Sequence, residues 1–285
     1  MEITTVAVVG AGTIGRGLAL DLAMREYQVI LNDVAEDLLE QARAAMRSDL
    51  KSYRMLVPEY REVDDEALLG RIRFAADLAA VAGAGFVIEN IIEQYDEKAR
   101  LYARLSAICG KETVYGVNTS CISITKLAQH VPDPSRMIGM HFMNPVPMKK
   151  FVEMIRGERT SEQTVETATA LVTRLGKDHV LVKDFPGFVA NRVMMLAVNE
   201  CAFIVQDAVA TPADVDKVFR LAFGHGMGPL ATADLIGLDT VLNSILVLFD
   251  EYKDSKYRPC PLLQKMVDAG KLGRKSGQGF FKYSR

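Results

Sequence analysis

The chain has 285 residues, a formal charge of −2, 49 % hydrophobic and 25 % charged residues, enough for one large or two ordinary globular domains. It shows no lysine–arginine stripe and no apolar run near the roughly 20 residues of a membrane helix, which excludes nucleic-acid and membrane-spanning roles. Its four cysteines, Cys109, Cys121, Cys201 and Cys260, form no C-x-x-C pair; neither a metal centre nor a disulfide framework is expected, and free thiols point to the cytoplasm.

The opening "MEITTVAVVGAG" lacks a basic n-region and runs straight into a strand, which does not read as a signal peptide. Val6–Val9 form an apolar strand too short for a helix, the glycines behind it open an amphipathic helix, and "QVILNDV" is the next buried strand. Gly10, Gly12 and Gly15 thus stand in a G-x-G-x-x-G pattern inside a β-α-β unit, the context that makes the pattern a dinucleotide signal. Gly10 permits the tight turn, Gly12 lets backbone approach a diphosphate at the helix N-terminus, and Gly15 lets helix and strand pack closely. Asp33 follows about 20 residues on, where an acid meets the adenosine ribose diol and repels a 2′-phosphate. The pattern predicts NAD rather than NADP.

A long helix is predicted from Glu36 to Leu56. "IRFAADL", "GFVIENI", "TVYGVNTS", "RMIGMHF", "FVEMIRG" and "DHVLVKD" read as further strands, and "YDEKARLYARLSAIC" and "SEQTVETATALVTRLG" as helices. Apolar strands alternating with amphipathic helices predict a parallel sheet covered on both faces. Beyond Pro186 only helical patterns remain, among them "TPADVDKVFRLAF", with Thr211 as N-cap and Pro212 in the first helical position. The expected architecture is a Rossmann-type, doubly wound α/β domain over residues 1–185 followed by an all-α domain over 186–285.

The motifs "VVGAGTIGRGLA", "NTSCISIT", "GMHFMNPVP", "FVEMI", "DFPGFVANR", "MGPLATADLIGLDT" and "GRKSGQGFF" run in order along nearly the whole chain. With them the chain resembles the L-3-hydroxyacyl-CoA dehydrogenase family. The resemblance implies an NAD-binding Rossmann domain and a helical domain that contributes to substrate binding and makes most of a homodimer interface. It also implies reversible oxidation of the 3-hydroxyl of an acyl thioester. Within it His141 matches the catalytic base and Glu153 its partner, and Ser120 and Asn191 match residues that bind the reacting part of the substrate. Glu93, Lys98, Asn144 and Lys275 match cofactor contacts.

The chemistry suits these groups. A secondary alcohol gives up hydride as its proton leaves, and a neutral imidazole can take that proton. A carboxylate on the far ring nitrogen fixes the tautomer and stabilises the imidazolium. Because Asn191 falls in the helical domain, the site is expected between the domains.

Blander readings exist for each residue taken alone. His141 in an apolar run could be a satisfied core residue. Glu153 could pair with Lys149 or Lys150, Thr119 and Ser120 could cap a helix, and Asn191 could bond backbone. Glu93 and Lys98 could be a solvated helix pair, and Lys275 one of several surface cations. His130 ends a helix, His179 precedes a strand and His225 sits in a glycine loop, spacings that suit no metal. A Ser120–His141–Glu153 hydrolase triad lacks a G-x-S-x-G elbow. A Rossmann protein that had lost its chemistry would not need all four reaction residues.

Two positions depart from the family pattern. Where well-known members place a Ser and a Lys for coenzyme A, this chain has Asp49 and Leu56; Arg47, Lys51 and Arg54 could compensate from other turns. Asn90 stands where a small residue is usual. The departures leave open an acyl-carrier-protein substrate, as in relatives that build polyketide extender units, and the loop "GHGMGPLATADLIGLDT" loosely resembles theirs.

Overall fold

Val6–Val9 are wholly buried in the first strand of the chain, and most of the strands that pair beside it repeat that pattern. A computed structural model describes residues 3–283 and divides between Asp184 and Phe185 into two compact units. The first unit carries β1 (Thr5–Val9), β2 (Gln28–Asn32), β3 (Ile72–Ala75), β4 (Phe86–Glu89), β5 (Val114–Val117), β6 (Met137–Phe142), β7 (Phe151–Arg156) and β8 (Asp178–Lys183). They form one sheet in the order β3-β2-β1-β4-β5-β6-β7-β8. Helices α1 (Thr13–Met24), α2 (Glu36–Leu56), α3 (Asp65–Leu69), α4 (Tyr95–Ile108), α5 (Ile124–Leu127) and α6 (Glu162–Arg174) make the connections.

β4, β5 and β6 are buried along their whole length, as apolar runs must be when helices cover both faces. α2 buries Leu39, Ala42, Met46, Leu50 and Tyr53, three or four residues apart, on one stripe, and its first turn opens with Glu36 and Asp37 at the positive end of the helix dipole. The helix has the Glu36–Leu56 span that its periodicity predicts.

The sheet departs from the all-parallel expectation at one place. β7 runs antiparallel to β6, and β8 then lies parallel to β7. The connection over 143–150 is too short for a crossover, which takes a dozen residues or more, so β7 can only turn back. His179 lies inside β8 rather than before it.

The second unit contains α7 (Ala190–Gln206), α8 (Pro212–Ala222), α9 (Pro229–Ile236), α10 (Leu238–Tyr252) and α11 (Pro261–Asp268). Thr211 caps α8 by accepting from the Asp214 amide, as the sequence indicates. Its core joins Met195, Val198, Val241, Ile245, Leu248 and Leu263. Buried Asp234 accepts from the Phe280 and Phe281 amides and the Tyr283 hydroxyl, which fastens the C-terminal segment. Among the described residues no single helix is long and apolar enough to cross a membrane.

The two glycines of the α1 opening give a direct stability test. A methyl at Gly15 would lie 1.8 Å from the Gly10 carbonyl oxygen, whereas one at Gly12 meets nothing within 4 Å. Gly15→Ala is expected to cost at least about 3 kcal/mol by forced overpacking, and Gly12→Ala no more than about 1 kcal/mol as a poorer N-cap. Urea unfolding midpoints of the two variants check the contrast.

Candidate active site

At the C-terminal end of β6 the antiparallel register sets His141 directly opposite Glu153. His141 is buried and Glu153 is 1 % exposed. The imidazole Nδ1 lies 3.0 Å from Glu153 Oε2, and Nε2 lies 3.1 Å from Ser120 Oγ. An ionised carboxylate only accepts, so Nδ1 carries the hydrogen and donates to Glu153. In the neutral imidazole Nε2 is then bare and accepts from the Ser120 hydroxyl. Lys150 pairs with Glu59 instead, which removes it as the partner of Glu153.

Ser120 is held from behind. Glu93 Oε1 accepts from Thr119 Oγ1 at 2.5 Å, from the Ser120 amide at 2.7 Å and from the Cys121 amide at 3.2 Å. Glu93 Oε2 lies 3.5 Å from the Lys98 ammonium. The reading of Glu93 and Lys98 as a solvated helix pair is overturned, because the Lys98 side chain is 0 % exposed. It donates to Glu89 Oε1 at 2.6 Å and to the Asn118 carbonyl at 2.9 Å. Burial pushes the Glu89 carboxyl up, and the adjacent Lys98 ammonium opposes that rise. Lys98 is therefore the buried counter-charge of Glu89 and also faces Glu93.

Glu89 and Asn118 carry the network further and have no local sequence signal of a site role. Asn118 donates to Asn90 Oδ1 at 2.9 Å and accepts from the Phe142 amide at 3.1 Å, so it links the ends of β4, β5 and β6. The bulk at Asn90 is thus used in a hydrogen bond. The only sequence signal for Glu89 is a charged residue closing an apolar strand.

At the other half of the sheet, Gly10 has φ +100°, and a Cβ there would lie 2.7 Å from the Asn90 carbonyl, so only glycine fits. Gly12 caps α1 with no side chain over it, leaving open space above a helix N-terminus. The first amides of a helix have no partner within it and favour an anion. Asp33 Oδ2 accepts from the Ala11 amide at 2.7 Å and Oδ1 from the Val34 amide at 2.7 Å, which fixes its carboxylate beside the glycine turn. Such a loop, open at Gly12 and flanked by a fixed acid, fits a dinucleotide.

Asn144 is exposed just past β6 and precedes the cis peptide to Pro145. Asn191 and Lys275 belong to the second unit. Asn191 sits in the first turn of α7, and Lys275 pairs with Asp239, 2.7 Å to its Oδ2. Met137 and Met140 are core residues, while Met148 is partly exposed. Among the described residues no cluster of three or more His, Cys, Asp or Glu could hold a metal ion.

Comparison with known proteins agrees along the whole chain. Residues 5–185 match the family described as 3-hydroxyacyl-CoA dehydrogenase, NAD binding domain, and residues 187–283 match its C-terminal domain. The probable 3-hydroxybutyryl-CoA dehydrogenase of Bacillus subtilis (strain 168) is 43 % identical over 287 residues, 99 % of this chain and 98 % of that protein. The 3-hydroxybutyryl-CoA dehydrogenase of Bradyrhizobium diazoefficiens is 40 % identical over 281 residues, 99 % of this chain and 96 % of the other. The crystal structure of (S)-3-hydroxybutyryl-CoA dehydrogenase from Ralstonia eutropha superposes with a TM-score of 0.92 at 38 % identity, covering 100 % of both chains.

Removing Lys98 leaves Glu89 buried without a counter-charge. Lys98→Met is expected to cost about 3–5 kcal/mol, and Glu89→Gln combined with Lys98→Met to recover more than half of it. Thermal unfolding followed by circular dichroism measures both.

Proposed function

The chain belongs to the 3-hydroxyacyl-CoA dehydrogenase family, and on that premise we propose that it oxidises the 3-hydroxyl of a short acyl-CoA to the 3-oxo thioester, reversibly, with His141 as general base. The observation that carries this reading is the His141–Glu153 pair, with a bare Nε2 turned toward Ser120. Bound NAD supplies the hydride acceptor. Gly10, Gly12 and Gly15 would hold its diphosphate at α1, Asp33 its adenosine ribose, and Glu93, Asn144 and Lys275 the remainder, with Lys98 supporting Glu93.

The residues of the chain divide the work. Glu153 keeps the proton on Nδ1 and stabilises the charge when Nε2 takes the substrate hydroxyl proton. Ser120, already a donor to Nε2, turns to the same substrate oxygen, and Asn191 binds the reacting group from the helical unit. Residues 1–185 serve the cofactor and 186–285 the substrate and a homodimer interface. Val218, Leu221 and Phe223 present exposed apolar surface on and just after α8, which supports a self-association face. Four cysteines in the free state suit a reducing, cytoplasmic setting.

Ser120, His141 and Glu153 also have the spacing of a hydrolase triad. Against that reading, the Cys121 amide, the natural oxyanion donor after a nucleophile at 120, is bonded to the Glu93 carboxylate. A developing oxyanion there would meet a negative charge.

The same oxidation on an acyl group borne by a carrier protein is the second reading, and α2 favours it. Asp49 is tied to Arg16 at 2.8 Å, Arg47 to Glu66 and Arg54 to Asp65, so of the cations that could compensate at the coenzyme A handle Arg47 and Arg54 are already paired and Lys51 is exposed. Turnover of acyl-CoA and acyl-carrier-protein forms of one substrate separates the readings; equal or faster turnover of the CoA form rejects the second.

Replacing His141 by Ala is expected to lower kcat for (S)-3-hydroxybutyryl-CoA oxidation about 10²–10⁴-fold while leaving NADH binding intact. Formation of NADH followed by absorbance, with NADH titration by fluorescence, checks it. Unaltered turnover in the variant rejects the assignment.

A further inference from the structure

Far from the reacting groups in sequence, the junction between α6 and β8 sends one ammonium into the protein. Lys177 and Asp21 of α1 form an ion pair at 2.8 Å with side chains only 2 % and 6 % exposed. Two protons of that ammonium go to the Val146 carbonyl at 2.7 Å and the Lys149 carbonyl at 2.8 Å. An ammonium has three donors, and two of them are thereby spent on backbone carbonyls. The two carbonyls belong to the tight turn between β6 and β7, the strands of His141 and Glu153, and Asn144 lies at its start. α1 also presses on this turn: a methyl at Gly17 would meet Pro147 Cδ at 3.4 Å. On its far side the Asp178 amide donates to the Lys150 carbonyl at 2.8 Å.

We propose that Lys177 is a positioning residue for the reaction, its ammonium locking the 145–149 turn to the dinucleotide helix so that His141, Glu153 and Asn144 keep a fixed place relative to the cofactor. The proposal rests on the dehydrogenase reading above. A pair that only stabilised the fold would need the carboxylate alone. Here most of the donor capacity is spent on the backbone of the catalytic hairpin. Asp21 touches no part of the site. It supplies the counter-charge that lets Lys177 be buried, and burial pushes its carboxyl up against the pull of the ammonium.

The two roles separate by mutation. Asp21→Asn removes the counter-charge but keeps both carbonyl bonds, so it is expected to lower Tm while changing kcat/KM less than about threefold. Lys177→Met leaves the carbonyls unpaired and is expected to lower kcat/KM about ten- to a hundredfold, through a raised KM for NAD together with a lowered kcat. The Met148 and Lys149 amides, both bonded to the Pro145 carbonyl, should then exchange hydrogen faster. The double variant Asp21→Leu/Lys177→Met keeps an apolar filling; it is expected to regain Tm without regaining kcat/KM, and it serves should Lys177→Met not fold. Wild-type kcat/KM in the double variant, or Asp21→Asn as damaging to kcat/KM as Lys177→Met, overturns the proposal. Should the unmodified protein oxidise no 3-hydroxyacyl-CoA, the dehydrogenase reading fails by itself. The anchoring is then decided by exchange, and unchanged protection of Met148 and Lys149 overturns it.

Discussion

One antiparallel pairing in an otherwise parallel sheet brings His141 and Glu153 together. In a parallel sheet, His141 and Glu153 would sit at opposite ends of their strands if joined by so short a segment. Turning β7 back places them side by side in register. Side chains alternate faces along a strand, so a slip of one residue would send one of the pair to the opposite face. The register is enforced by burial: Met140 and Met154, and Phe142 and Val152, are buried partners on either side.

A second constraint is electrical. The C-terminal end of this sheet buries Glu89 and Glu153, and α1 buries Asp21 beside it. An ionised carboxylate stripped of water costs several kcal/mol after relaxation unless it gains a counter-charge and hydrogen bonds. Each of the three has a cation or ring partner: Lys98, His141 and Lys177 respectively. Glu89 and Asp21 are matched to lysines, and those pairs are structural. Glu153 is matched to an imidazole that can be neutral or charged, and only there can a proton come and go without dismantling the fold. On the proposed mechanism the distribution of partners thus separates the group that reacts from the groups that hold it.

The extent to which this was legible in sequence follows the range of the interactions. The glycine turn, Asp33, the span of α2 and the cap at Thr211 are local devices, written within a few residues or one β-α-β unit, and they appear where the pattern places them. His141 and Glu153 were named through a family resemblance; the apolar run around His141 suits a core residue equally well. The burial of Lys98 is not legible locally, because a lysine on an amphipathic helix is normally solvated and its partner Glu89 lies at the end of an apolar strand. Asp21 and Lys177 gave no signal at all: one lies on a helix of the first β-α-β unit, the other after α6, and only the folded sheet brings them together. The antiparallel β7 was legible in principle, since the segment over 143–150 cannot hold a crossover helix.

The substrate handle turns on magnitudes. The ion pairs that occupy α2 are unequal. Arg47 and Glu66 are largely exposed, and such pairs contribute about 0–1 kcal/mol, so a phosphate could recruit Arg47 at little cost. Arg16 and Asp49 are less exposed, and Arg54 is additionally bound to the Val63 carbonyl, which makes both cations harder to detach. Beyond them α2 ends in Met55 and Leu56, 73 % and 60 % exposed, where a charged nucleotide gains nothing and an apolar protein surface gains burial. The helix therefore offers a phosphate exposed Lys51 and one cheaply released cation, Arg47, and offers a protein partner an apolar tip. The chemistry proposed at His141 is the same in either case, because coenzyme A and a carrier protein present the acyl group on the same kind of pantetheine thioester and differ only beyond that arm.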